Sequence, residues 1–462
     1  MPLSSAEWAI IRRYTHRIKE LKVYLVDQES HWFLRVTGVQ ACPLFPNLRV
    51  LSWPARGAGF SASRSIKLLQ RLPSPSLVSV DLVLTDMNDV MAQSFISGLY
   101  RRCPDLESVV IYHSNITGWK VSQTTIRSLS QTTSFLRYLE CLCVDVPIDG
   151  VALTHIATSP KVKELKLVLH PDKSCLRQFR LPSDTIPFCN VRDLSLRIWD
   201  LDFLTTFLHT KDQAFRSFRL NLCSRPTIQA LAVFLDVLAS PQRTHSLQSL
   251  TLSLSLKESD EPQNITAHAH LPCDTLRPLA RLSHLRELNI NLNHCLFIDD
   301  HDLTSLARHW PLIQDLHLIG CSSPQDHISP PRTHITLYGL VSLVECCRHI
   351  RCLYLTVDAT EVPLNTPPWI VRNPKLTHIW FIDSPIGLSE PVARFLHQHL
   401  PLLRGVFSSF HKPSVYGDAA ARYEKAWSCA KRAIERSWYV IFLLVVEDRS
   451  NDNFKRTTVE LR

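Results

Sequence analysis

The chain has 462 residues, a formal charge of +9, 45% apolar residues and 20% charged ones. One compact core stops growing near ~250–300 residues, so this length implies several domains or an elongated repeat array. The apolar content excludes a largely disordered chain. Lys and Arg come in short pairs such as Arg12-Arg13 and Arg101-Arg102, not in a basic stripe with interleaved aromatics, so no nucleic-acid partner is expected.

The N-terminus reads Met1-Pro2-Leu3-Ser4-Ser5-Ala6-Glu7-Trp8, with no basic segment followed by an apolar one, and so carries no recognisable secretory leader. The 14 cysteines are therefore expected to be unpaired thiols in a reducing intracellular compartment, cytoplasmic or nuclear. The sequons Asn115-Ile116-Thr117 and Asn264-Ile265-Thr266 are then chance matches. The longest apolar run, Trp438 to Val446, is well short of the ~20 residues that span a bilayer, so no membrane partner is expected.

A motif of the form apolar-x-x-apolar-x-apolar recurs from end to end. Its first apolar residue falls at positions 18, 48, 77, 106, 136, 162, 191, 215, 247, 285, 313, 350, 376 and 403. Many copies carry a Pro two residues earlier, as in Pro104-Asp105-Leu106-Glu107-Ser108-Val109-Val110-Ile111 and Pro311-Leu312-Ile313-Gln314-Asp315-Leu316-His317-Leu318. Stretches such as Leu165-Lys166-Leu167-Val168-Leu169, Leu250-Thr251-Leu252-Ser253-Leu254 and Leu288-Asn289-Ile290-Asn291-Leu292 alternate with period two, which predicts strands with one buried face. Helix-period segments lie between them, at Val90–Tyr100, Leu303–His309 and Val392–His399. The Pro that follows each disfavours helical backbone in the residue before it, ends the helix and starts the next strand.

The spacing of the copies matches leucine-rich repeats, whose units run ~20–29 residues. Two longer steps hold polar or Pro-bearing insertions, Lys257–Leu271 and Cys321–Thr333, expected as surface loops. One unit cannot cover its own apolar face, so stability comes from stacking neighbours. The expected fold is an α/β leucine-rich-repeat solenoid, with a curved parallel sheet on the concave side and helices on the convex side. About 14 irregular repeats fill residues 1–413. Residues 414–447 form a C-terminal capping helix or segment, in which Asp418–Arg436 is helical in pattern with Trp427 and Ala430 on one face. Residues 448–462 form a polar, flexible tail.

Leu316-x-Leu318-x-x-Cys321 and Leu288-x-Ile290-x-x-Asn293 resemble the leucine-rich-repeat signature, and the helix-containing units resemble the ribonuclease-inhibitor-like class. More narrowly, Trp8 followed by Tyr14-x-x-x-Ile18-x-x-Leu21 is similar to the segment after the F-box in fungal F-box/leucine-rich-repeat proteins. That resemblance implies a substrate-recognition subunit of a cullin-type ubiquitin ligase. The family's F-box is a helical module ahead of the repeats. Here the repeats begin at residue 18, so the chain is expected to lack it and to bind the cullin-ligase adaptor only through an F-box lying upstream. The alternative is a free-standing scaffold or inhibitor-like repeat protein unconnected to ubiquitin.

Catalytic signatures are missing from the sequence. With 11 Gly there is no G-x-G-x-x-G or Walker loop, and neither H-E-x-x-H nor G-x-S-x-G occurs, so no enzyme and no cofactor are expected. The segment His294-Cys295-Leu296-Phe297-Ile298-Asp299-Asp300-His301-Asp302 has metal-ligand types, yet Asp299–Asp302 stand where a helix cap belongs, so no metal is expected there. Cys141-x-Cys143 and Cys346-Cys347, with Cys352 nearby, are read as packing residues in repeat-core or helix positions.

Residues between the buried apolar positions of each strand should point outward and contact a protein partner. They are Glu164, Lys166, Asp193, Arg197, Arg219, Asn221, Thr251, Glu287, Asn289, Asn291, Asp315, His317, Tyr354, Thr356, His378 and Trp380. Tyr354, His378 and Trp380 should lie on neighbouring turns, bordered by the two insertions, and exposed aromatics are favoured interface anchors.

Overall fold

The computed structural model describes residues 5–22, 45–53, 72–83, 89–112, 122–170, 172, 179, 186–210, 213–255, 270–292, 295–320, 334–363, 373, 375–409 and 418–451. The chain divides into two compact units, Met1–Ser224 and Arg225–Arg462.

The first unit holds β1 (Glu20–Lys22), β2 (Val50–Trp53), β3 (Ser79–Val83), β4 (Ser108–Tyr112), β5 (Cys141–Ile148), β6 (Glu164–Leu169), β7 (Asp193–Ile198) and β8 (Ser217–Leu222). Each strand pairs in parallel with the next. In the second unit β9 (Ser249–Leu254), β11 (Glu287–Asn291), β13 (Asp315–Ile319), β14 (Cys352–Leu355), β15 (His378–Ile382) and β16 (Gly405–Ser409) do the same. Helices alternate with the strands, among them Asp89–Arg102, Gln123–Phe135 and Gly150–Thr158 in the first unit, and Ile228–Leu238, Asp300–Ala307, Leu337–Cys346 and Ser389–His399 in the second. A parallel pair needs such a crossover, because the chain must return to the same end before starting the next strand. Each unit is an α/β solenoid of the leucine-rich-repeat type.

The register explains why the apolar motif holds the stack together. Leu51, Val80, Val109, Leu142, Leu165, Leu194 and Phe218 align across the first unit, and all are buried. Leu250, Leu288, Leu316, Leu353, Ile379 and Val406 align across the second, also buried. Burying such a side chain stabilises by roughly 1.5–3 kcal/mol, and here each does so mainly against its neighbours' equivalents. Of the 14 strands that follow the predicted starts, all but one begin two residues after the start read from the sequence.

The exception is the copy placed at Leu136. The helix Gln123–Phe135 ends there, with Leu136 as its buried C-cap, and β5 instead follows Leu139-x-x-Leu142-x-Val144. Both registers satisfy the apolar pattern; the helix end and the pairing with β4 select the later one. Cys141 and Cys143 therefore lie on the opposite face of β5 from Leu142 and Val144, Cys143 still buried and Cys141 half-buried.

Helix starts follow ordinary capping chemistry. Asp149 accepts from the Ala152 amide at 2.9 Å, Thr227 from Ala230 at 3.1 Å and Asp299 from Asp302 at 2.7 Å. Asp300 does not cap its own helix. Its carboxylate accepts from the Thr336 amide at 2.7 Å and the Thr336 hydroxyl at 2.6 Å, at the start of the next helix. Gly339 leaves room for it: a Cβ there would stand 2.0 Å from Asp300 Oδ1.

The first insertion ends earlier than the sequence suggests. His270–Pro272 forms β10, which pairs in parallel with β12 (Cys295–Phe297), and Leu271 is fully buried. Residues 257–269 and 321–333 lie outside the described residues, as do the signature positions Asn293 and Cys321.

The C-terminal helix runs Asp418–Asn451, through the apolar run Trp438–Val446 and into the segment read as a polar tail. It packs on Ser389–His399 and on β16. Ala420, Trp427, Ala430 and Ile434 are buried, a spacing of three to seven residues that presents one helical face. Trp427 stacks on Phe381 at 4.2 Å, and its indole N–H donates to the Ser384 carbonyl at 2.9 Å. Among the described residues no helix is long and apolar enough to cross a membrane.

Candidate functional site

Neighbouring strands lie ~4.8 Å apart, so in-register parallel pairing sets equivalent side chains at ring-stacking distance. On the outward face of the second unit this brings His317, Tyr354, Trp380 and Phe407 into one row. Centroid separations are 4.2 Å from His317 to Tyr354, 4.7 Å from Tyr354 to Trp380 and 5.2 Å from Trp380 to Phe407. The last two pairs are stacked, with interplanar angles of 6° and 16°. All four rings are half-exposed.

A second row runs beside the first: Ser249, Glu287, Asp315, Cys352, His378 and Gly405. The Ser249 hydroxyl donates to Glu287 at 2.8 Å. Burial, reinforced by the facing Glu287 and opposed by Arg351, pushes the Asp315 carboxyl above its ordinary range. Burial holds the His317 imidazole below its ordinary range, against the pull of Glu287. His378 is also held low, by burial first and then by Arg404 and Lys431, with Glu435 opposing. Burial, with a smaller contribution from Cys352, raises the Tyr354 phenol. Gly405 lets the His378 ring lean toward Phe407 at 5.6 Å; a Cβ at 405 would meet His378 Cδ2 at 3.3 Å.

The C-terminal helix borders this ladder. Lys431 Nζ sits 4.4 Å from the Phe407 ring centroid, a cation–π contact at the end of the aromatic row. The helix that packs on β16 thus also sets the polarity at one end of the candidate surface.

The other residues expected to face outward fall into two groups. In the second unit Thr251 and Asn289 extend the aromatic row onto β9 and β11, Asn291 pairs beyond it with Ser253 and Ile319, and the Asn289 amide oxygen has no hydrogen-bond partner among the described residues. Thr356 lies just past the end of β14. In the first unit Glu164 faces Asp193, Arg197 faces Asn221, and Lys166 and Arg219 flank Ser195, so that face is charged where the second is aromatic.

Sequence reasoning missed Phe407. The alternation Gly405-Val406-Phe407 does place it opposite buried Val406, but only the register with Trp380 makes it part of the row. It also missed what lies beside Glu164. Cys141 Sγ is 3.8 Å from Cys143 Sγ, and Cys143 Sγ is 3.8 Å from Glu164 Oε1. The shared thiol hydrogen bond holds Cys141 low and Cys143 high; burial opposes the first shift and adds to the second. A second group of ligand types, Asp299, His301 and Asp302, lies at the helix start, where Asp299 serves as the N-cap.

Comparison with protein-family models finds none that matches the chain, and comparison with curated proteins likewise finds no match.

Proposed function

We propose that the protein is a non-catalytic, protein-binding repeat protein whose main contact surface is the outward sheet face of the second unit. The supporting observation is the row His317–Tyr354–Trp380–Phe407: four half-exposed rings in register on one sheet face, the last three stacked, bordered by Glu287, Asp315 and Lys431. Aromatic anchors of this kind carry large contact area with few rotatable bonds, and a polar rim supplies hydrogen bonds and orientation. A partner with an apolar or cationic segment flanked by basic residues fits this chemistry.

The finer reading, a substrate-recognition subunit of a cullin-type ubiquitin ligase, rests on the resemblance of Trp8, Tyr14, Ile18 and Leu21 to the segment after the F-box. It is tested with the product of the full-length transcript. Binding of the purified cullin adaptor through an F-box upstream of residue 1 supports it. No binding removes the ubiquitin reading and leaves a free-standing scaffold.

The surface itself is tested by affinity capture and quantitative mass spectrometry on three baits: the wild-type chain, Tyr354→Ala/Trp380→Ala, and an Arg394→Ala control. Arg394 lies on an exposed helix face in a surface ion pair with Glu390, where little effect is expected. Partners kept by the control and weakened at least ~30-fold in the ladder variant support the proposal, since an anchor residue contributes about 2 kcal/mol or more. Identical partner profiles from all three baits refute it.

A further inference from the structure

The first unit carries a different constellation on its outward face, independent of the aromatic row. In a strand, residues two apart point the same way, so Cys141-x-Cys143 sets both thiols on one side of β5. Pairing with β6 places Glu164 directly opposite Cys141 and Lys166 opposite Cys143. One ligand atom from each of Cys141, Cys143 and Glu164 lies within 4.8 Å of the other two.

Those separations have a specific meaning. Zinc bonds thiolate sulfur at about 2.3 Å and carboxylate oxygen at about 2.0–2.2 Å in a tetrahedron, which gives edges of about 3.8 Å for S···S and about 3.5–3.7 Å for S···O. The observed Cys141–Cys143 and Cys143–Glu164 separations are both 3.8 Å. Two edges of the tetrahedron are therefore already present, on two strands fixed by ladder hydrogen bonds. We propose that Cys141, Cys143 and Glu164 form a binding site for a thiophilic divalent cation, zinc by ligand type, with the fourth coordination position open to solvent.

The surroundings suit a cation. Asp81 and Asp145 are close enough to act on the neighbouring Tyr112 phenol, and both add negative charge to this patch. The opposing charge is Lys166, whose Nζ is drawn 4.9 Å from the Tyr112 ring centroid. Cys143 is buried, Cys141 half-buried and Glu164 exposed, so the cluster opens to solvent on the carboxylate side. Two thiolates disfavour magnesium and calcium, which take oxygen ligands.

The test uses the full chain with a non-thiol reductant present. Zinc affinity and stoichiometry are measured by competition with a chromogenic chelator, and cobalt substitution reports thiolate ligation by its charge-transfer absorption. The wild-type chain should show a site with thiolate-to-cobalt absorption and a zinc-dependent rise in Tm. Cys141→Ser should abolish the absorption and the rise. Glu164→Gln, at an exposed position that leaves folding intact, should keep the absorption while weakening zinc at least ~10-fold, the lower end of what losing even an outer-sphere partner costs. Zinc bound with equal affinity and stoichiometry by wild type and both variants overturns the proposal, because other cysteines would then hold it. Absence of any zinc-dependent signal in the wild type overturns it as well.

Discussion

Truncating Trp427 to Ala should unseal the end of the second unit, with a loss that can be worked from its contacts. The indole is buried, stacks on Phe381 at 4.2 Å and 20°, and donates to the Ser384 carbonyl at 2.9 Å. Removing a buried Trp costs about 3–5 kcal/mol through lost transfer energy and the cavity left behind. Trp427→Phe separates the components: it retains a stacked ring but strands a buried carbonyl, at about 1–3 kcal/mol. Urea unfolding of the full chain, followed by circular dichroism, measures both losses. Hydrogen exchange read by mass spectrometry localises them. In a solenoid the effect passes from neighbour to neighbour, so exchange should quicken most in β15, β16 and Ser389–His399 and least in β9. A loss for Trp427→Ala below ~1 kcal/mol, or exchange quickened equally across the unit, would refute the reasoning that this helix is the cap.

Three further outcomes are expected. Gly339→Ala should destabilise by about 1–3 kcal/mol because its Cβ would strike Asp300 Oδ1, although Ala in a helix is ordinarily better than Gly by ~1 kcal/mol; thermal melts showing a gain would contradict the packing. Tyr354→Ala and Trp380→Ala should be coupled by about 0.5–1.5 kcal/mol in a double-mutant cycle on urea stability, and strictly additive losses would mean the stacked rings do not interact. Acid should weaken the fold through His317 and His378, whose imidazoles are held below their ordinary range chiefly by burial. The unfolded chain takes up these protons as pH falls through ~6.5, while the folded chain resists until lower pH, so their contribution is complete above that value and fades beneath it. His317→Gln and His378→Gln should flatten the fall in Tm between about pH 7 and pH 5, and an unchanged slope assigns it to other groups.

The sequence by itself determined the repeat, because each strand must bury one face and each helix must be stopped before the next strand. Leu48, Leu77, Leu106 and their successors announce β2, β3 and β4 with a constant two-residue lead. The buried face of the helix around Trp427 and Ala430 was legible for the same reason, since apolar residues at helical spacing need a surface to cover. Leu136 shows where periodicity ran out. Its copy and the one at Leu139 are equally apolar, and only the helix end at Phe135 together with the pairing of β4 and β5 decides between them. That three-residue difference put Cys141 and Cys143 on the face beside Glu164. Tertiary structure alone also decided which outward residues meet. The alternation says that Tyr354, Trp380 and Phe407 leave the core, but their stacking depends on residues from separate repeats falling at one register. Asp300 illustrates the same limit: its acidic character at a helix start was evident, while its partner, Thr336 at the next helix, is 36 residues away and is reached only because the repeats stack. Local pattern is written in the period of the chain, whereas contacts between repeats depend on register and on the lengths of the connections.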